Sequence, residues 1–236
     1  TSLTGLTSIW LKGKKALVTG DYKTIKDNTA QNFQLIKADL LVTETTFGLP
    51  IFKHPQPKEE IKKLSESMKR NPDKCHLIGA YALGKSQRVM SLLRNHGYDE
   101  AIFIHGAIEK ISDYYKYKKI NLGNFIKINN DNREKLKGKI VIAPPASLKD
   151  RWSRKLPDIK VCMASGWMSV KQRAKQKLVE LPLVISDHSD WNELTWLIKE
   201  STAEKVYFTH GREDGLKHWC KLNNIDAESL SLLNKE

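Results

Sequence analysis

Leu183-Val184-Ile185-Ser186-Asp187-His188-Ser189-Asp190-Trp191 and, further on, Lys205-Val206-Tyr207-Phe208-Thr209-His210-Gly211 carry the pattern that decides the fold. Each begins as a short apolar run and ends on a histidine. Runs of this length, rich in β-branched and aromatic residues, read as strands rather than helices. Residues 192–200 and 214–223 follow the helical period. The resulting β-α-β-α rhythm calls for parallel strands joined by helical crossovers. Open parallel sheets gather ligands at the carboxyl ends of their strands. The reading predicts two strands ending side by side, with both imidazoles at one sheet edge. Val18-Thr19-Gly20-Asp21-Tyr22-Lys23 adds an acidic residue just after a third apolar run. A carboxylate and two histidines at strand ends point to a metal-dependent hydrolase.

Working outward, residues 7–20 read as a hairpin turning at Lys12-Gly13-Lys14-Lys15. Residues 38–43 form another strand, ending at the acidic Glu44-Thr45-Thr46-Phe47-Gly48. A proline-rich linker over 49–57 precedes a helix at 58–69, whose Ile61, Leu64 and Met68 share one face. Strands follow at 75–80, 101–104, 139–143 and 160–163. Helices are expected from Ser86, an N-cap candidate, and over 108–117. Residues 171–177 are a short basic helix or loop. This stretch alternates strand and helix by itself, so it can form its own sheet. The domains are therefore expected as 1–48 and 183–236 in one unit, with 49–182 inserted between them.

The 236 residues suffice for one large domain or two smaller ones with real cores. No apolar run approaches the ~18 residues of a membrane span, and no secretory signal opens the chain, so the expected location is cytoplasmic. Cys75, Cys162 and Cys220 are odd in number and lack C-x-x-C spacing, which argues against a disulfide framework. Forty Lys+Arg against 27 Asp+Glu give a formal net charge of +13. That excess favours polyanions, because each neutralised phosphate releases condensed counterions. Gly84-Lys85-Ser86 opens a helix, with Arg88 about one turn along. Either these residues bind a phosphate or they merely cap the helix; the spacing is not that of a Walker A loop. Arg151, Arg154, Lys171 and Arg173 are further candidates for nucleic-acid contact. Trp167 and Trp191 either stack on bases or pack internally. His105 is read as a turn histidine or a substrate contact.

Eight segments in order, GDYK at 20–23, ETTFGLPIF at 44–52, AYALGKSQR at 80–88, HGA at 105–107, APPAS at 143–147, SGWM at 165–168, SDHSDW at 186–191 and THG at 209–211, resemble the β-CASP branch of the metallo-β-lactamase-fold nucleases. The likeness is greatest to the bacterial ligase-associated DNA exonucleases. It implies an α/β architecture: the C-terminal portion of a four-layer αβ/βα sandwich with an inserted β-CASP domain. It implies a dinuclear site of two divalent ions, zinc by default with manganese compatible. Asp21 matches the bridging aspartate and His210 the last histidine ligand. Glu44 matches the acidic residue that keeps His188 ready to protonate the leaving oxygen, and Asp187 or Asp190 either orients His188 or caps the next helix. The implied activity is exonucleolytic hydrolysis of DNA in repair or end processing. The implied partners are DNA, single-stranded or at ends, and an ATP-dependent DNA ligase and helicase. An RNA-processing nuclease of the same branch and a non-catalytic nucleic-acid-binding protein on a degenerate fold are the competing readings.

The family's H-x-H-x-D-H motif is absent. The seven histidines are 54, 76, 96, 105, 188, 210 and 218, none of them before Asp21. Counting back from Gly5-Leu6-Thr7-Ser8 puts Ser2 where an isolated histidine ligand belongs. The Thr1 start and the abrupt opening strand lead to the expectation that an N-terminal portion lies outside this chain. Alone, this chain is then expected to expose the inner face of its remaining sheet, to hold an incomplete metal site and to lack nuclease activity.

Overall fold

The structure is a computed structural model that describes residues 7–11 and 13–232. Lys12 of the expected turn, and Ser2, Gly5 and Leu6, lie outside the described residues. The chain forms two compact units, residues 1–53 with 187–236, and residues 54–186.

In the first unit, β1 (Thr7–Leu11) and β2 (Lys14–Val18) form the expected antiparallel hairpin, and β3 (Leu40–Thr45) pairs parallel to β2. The second unit then builds a wholly parallel sheet. Its elements are α1 (Pro57–Arg70), β4 (Cys75–Gly79), α2 (Lys85–Asn95), β5 (Ile102–Ile104), α3 (Gly106–Tyr117), β6 (Phe125–Lys127), β7 (Ile140–Ala143), β8 (Ile159–Ala164), α4 (Lys171–Gln176) and β9 (Leu181–Leu183). The strand order is β6-β5-β7-β4-β8-β9. The chain returns to the first unit with α5 (Trp191–Glu200), β10 (Lys205–Gly211), α6 (Asp214–Leu222) and β11 (Asp226–Ser229), completing a sheet ordered β1-β2-β3-β10-β11.

Local chemistry explains the elements. Helix α1 opens with Pro57, carries Glu59 and Glu60 in its first turn and Lys69 and Arg70 in its last, all complementary to the helix dipole. Its Ile61 and Leu64 are fully buried, as the spacing predicts. The strands β4 and β7 are buried along their whole length, which parallel strands covered on both faces require. Strands β6 and β11 were not expected, because neither Phe-Ile-Lys nor Asp-Ala-Glu-Ser has a recognisable strand pattern.

One strand changes sheets relative to expectation. Of the run before His188 only Leu183 is in a strand: β9 (Leu181–Leu183) pairs with β8 in the second unit's sheet and not with β10, and residues 184–186 are irregular. The neighbours of β10 are β3 and β11. The boundaries move accordingly from 48/49 and 182/183 to 53/54 and 186/187. Residues 49–53 stay with the first unit because Phe52 packs edge-on against Phe47, with ring centroids 5.1 Å apart, and its carbonyl accepts from Trp191 N at 3.0 Å.

Leu17, Leu41, Val206 and Phe208 point to one face of the first sheet. There they join Leu194, Leu197 and Ile198 of α5 and Leu216 and Cys220 of α6 in the core. The alternate positions line the other face, with Val18, Val42 and Tyr207 in one register row. Those three are half-buried, and Ile9, in the row beside them, is 51% exposed. The three cysteines are free and buried, and burial pushes the Cys75 thiol up to about 12. No helix among the described residues is long and apolar enough to cross a membrane.

Candidate active site

Three of the four site residues sit where parallel strands end. Asp21 follows β2 across Thr19-Gly20, Glu44 lies near the end of β3, and His210 near the end of β10. The fourth, His188, is brought by the loop leading to α5.

The β3–β10 ladder slips between Thr209 and Gly211, leaving His210 as the extra residue of a bulge. His210 has φ +53° and Gly211 φ +144°. A bulge re-aims the side chain it carries, and this one is 63% exposed with its Nδ1 2.9 Å from Asp21 Oδ1. A side chain on Gly211 would strike the Thr45 carbonyl, so the bulge needs glycine there.

Glu44 is 1% exposed and accepts on both carboxylate oxygens. Its Oε1 accepts from Tyr22 N at 3.1 Å, and its Oε2 accepts the Thr46 hydroxyl at 2.5 Å and faces His188 Nδ1 at 2.7 Å. A carboxylate can only accept, so His188 carries a hydrogen on Nδ1 and turns Nε2 away from Glu44. His188 Nδ1 lies 4.0 Å from Asp21 Oδ1, and the two imidazole centroids are 6.0 Å apart, so Asp21 stands between both rings.

Asp21, Glu44 and His188 each offer a ligand-type atom, all within 4.8 Å of one another. Glu44 is buried and already accepts from three donors, whereas Asp21 is 28% exposed beside His210. An accessible carboxylate and an imidazole in contact are a donor pair that zinc and manganese accept. The residues present therefore fit part of a divalent-cation site: Asp21, Glu44 and His188 form a possible three-residue group, and His210 adds an exposed imidazole beside Asp21.

Asp190 is the N-cap of α5, its Oδ1 accepting from Glu193 N at 3.0 Å. Asp187 lies at the unit boundary, half-buried. Sequence reasoning missed Glu193. It sits at the third position of α5 and holds Lys23 at 2.5 Å and the backbone of Thr24 at 2.8 Å. The Ser/Asp-x-x-Glu spacing of a capping box was visible in Asp190–Glu193; the contact with a loop 169 residues away was not.

The nucleic-acid candidates divide. Gly84, not Ser86, is the N-cap of α2. Lys85, Ser86 and Arg88 are all buried. Lys85 Nζ donates to the Ile185 carbonyl at 3.1 Å, Ser86 Oγ to Tyr81 O at 2.7 Å and Arg88 to Ser186 O at 2.5 Å. A phosphate contact needs an accessible cation, so the expectation for these three is set aside: they bind backbone. Arg151 and Arg154 are exposed. Arg173 lies 3.8 Å over the Trp167 ring, and Trp191 meets Trp219 edge-on at 6.4 Å. His105 caps α3, accepting from Ala107 N at 3.1 Å, and burial holds its pKa below the usual histidine value.

No family model matches the chain. A protein of Opitutus terrae described as a probable DNA ligase is 24% identical over 215 residues, covering 86% of this chain but 21% of that protein. An uncharacterized protein in the lig 3′ region of Acidianus ambivalens is 26% identical over 102 residues, 43% of this chain and 69% of the other. The chain thus spans a small part of the length of the first relative. Among solved structures, a protein of unknown function from Enterococcus faecalis superposes with a TM-score of 0.57 over 87% of this chain and 55% of that one, at 12% identity. That likeness concerns the fold alone.

Proposed function

We propose that this chain carries the strand-end portion of a metal-dependent DNA nuclease of the metallo-β-lactamase fold, β-CASP type. The observation that carries the reading is the convergence of Asp21, Glu44, His188 and His210, with Asp21 Oδ1 2.9 Å from one imidazole and 4.0 Å from the other. Asp21 and His210 are the cation ligands; a divalent cation there supplies positive charge against a phosphodiester. Glu44 fixes the His188 ring through Nδ1, so that Nε2 presents a proton to the leaving oxygen. The buried Tyr22 and Thr46 contacts keep Glu44 from turning. The likeness to a protein named as a DNA ligase and to one encoded beside lig supports DNA as the polymer and a ligase as the working partner. Arg151 and Arg154 are the surface cations proposed for its backbone.

The test has two readouts on the 236-residue chain: Mn²⁺ or Zn²⁺ binding by calorimetry, and cleavage of end-labelled single-stranded DNA, with and without a polypeptide bearing H-x-H-x-D-H. Asp21→Ala is expected to abolish metal binding. His188→Ala is expected to leave binding intact and to slow any cleavage by about 10²–10⁴-fold. Metal affinity in Asp21→Ala equal to wild type would refute the assignment.

A further inference from the structure

Asp21 and His188 both stand on irregular backbone, residues 19–39 and 184–190, with no strand ladder to fix them. We propose that Glu193 and Lys23 form a positioning strut that sets how these two loops, and so Asp21 and His188, face each other. The inference rests on the reading of the site above.

Glu193 is anchored in the first turn of α5 by its capping box with Asp190. One carboxylate oxygen serves the Asp21 loop: Oε1 accepts from Thr24 N at 2.8 Å, Thr24 Oγ1 at 2.7 Å and Ile25 N at 3.3 Å. The other spans both loops: Oε2 accepts from Asp190 N at 3.0 Å, on the His188 loop, and from Lys23 Nζ at 2.5 Å, on the Asp21 loop. Lys23 closes the link by donating to the His188 carbonyl at 3.4 Å. Ser189 Oγ donates to Tyr22 O at 2.9 Å, one residue along on each loop. The Lys23 and Glu193 side chains are only 8% and 9% exposed, so their pairing is little screened by water. Five donors on one buried carboxylate exceed what capping a helix requires. Capping uses the Asp190 amide alone; the other four come from residues 23–25. Neither side chain is placed in the ligand or proton-donor set. Each acts through the loop that carries a site residue.

Glu193→Gln removes the charge and replaces one acceptor oxygen with a donor amide, which opposes either Lys23 and Asp190 N or Thr24 and Ile25. Lys23→Arg keeps the charge and Lys23→Met deletes it. Thr24→Val trims one hydrogen bond and serves if Glu193→Gln does not fold. Two measurements follow: Mn²⁺ affinity, and the ¹⁵N imidazole signal of His188, whose Nδ1–H bond to Glu44 gives it a distinct tautomer signature. Glu193→Gln and Lys23→Met should shift the His188 signal and weaken Mn²⁺ binding by about 10–100-fold. Thr24→Val should move both the same way by less, and Lys23→Arg should restore both. His218, on α6 of the same unit, should keep its signal and so report any unfolding of that unit. If wild type binds no Mn²⁺, the metal reading fails, and the His188 signal alone decides the strut. A wild-type His188 signal in folded Glu193→Gln or Lys23→Met overturns the strut.

Discussion

Replacing Gly211 by alanine probes the bulge that aims His210. Gly211 has φ +144°, which a residue with a side chain rarely adopts. Holding such a residue there costs about 1–3 kcal/mol. The added Cβ would also stand 2.4 Å from both the carbonyl carbon and oxygen of Thr45, and 2.7 Å from Thr46 N. All three are backbone atoms, so no rotamer change relieves the contact. β3 and β10 must part by roughly 1 Å, and forced overpacking of this kind costs about 1–3 kcal/mol more. The sum is about 2–6 kcal/mol, concentrated in the β3–β10 ladder. Hydrogen exchange read by mass spectrometry reports that ladder separately from the second unit. At about 2 kcal/mol, protection of the amides at 40–45 and 205–211 falls by about 30-fold, while that of β4 and β7 is unchanged. Gly13→Ala is the control: its φ is +79°, but a Cβ there meets nothing within 4 Å. Gly13→Ala should pay only the dihedral cost. If Gly211→Ala loses no more protection than Gly13→Ala loses in its own hairpin, the steric account of the bulge is wrong.

Three further outcomes are expected. Burial holds the pKa of His76 below its ordinary 6.5, its ring hydrogen-bonded to Ser67 Oγ at 3.0 Å and to the Lys74 carbonyl. The unfolded chain therefore binds the proton first. Stability of the second unit is at its full value above about pH 6.5 and is lost as pH falls toward the folded-state value; His76→Gln should flatten the urea midpoint over that range. Glu193 behaves likewise in the first unit at lower pH. Burial pushes its carboxyl up, but the Lys23 charge and hydrogen bond, with Thr24 and the Asp190 amide, outweigh it and leave the pKa below the usual value, so stability falls away as acid reaches the carboxylate range. Lys85→Met and Arg88→Met should each destabilise the second unit by about 1–3 kcal/mol, having lost hydrogen bonds to buried carbonyls. Their affinity for single-stranded DNA should stay at the wild-type value, whereas Arg151→Glu/Arg154→Glu should weaken binding and flatten its salt dependence, measured by fluorescence anisotropy.

Most elements were legible because local patterning and burial agree. The buried strands at 75–79 and 140–143 read as short apolar runs, and α1 announced itself by proline, acidic start and basic end. The candidate site was legible as residue types at strand ends: Asp21, Glu44 and His210 all follow or finish strands, as expected. The errors came where sequence cannot report a partner. Leu-Pro-Leu at 181–183 has the same local preference in either sheet, and only pairing with β8 decides between them. Lys85 and Arg88 look like a phosphate grip because charge is normally exposed; carbonyls nearly 100 residues away in sequence absorb them instead.

The sequence by itself determined that Asp21, Glu44 and His210 lie at or just after strand ends, that His188 follows an apolar run, and that the chain is basic, because these follow from composition and short-range period. Tertiary structure alone decided the rest. It put β3 and not β9 beside β10, bulged β10 so that His210 meets Asp21, and buried Glu44 with its Oε2 2.7 Å from His188 Nδ1. It also spanned two ladderless loops with Glu193 and Lys23. The physical reason is common to all four: each depends on a hydrogen bond or close contact between residues far apart in the chain, up to 189 positions for His210 and Asp21, and local preference carries no information about such pairs.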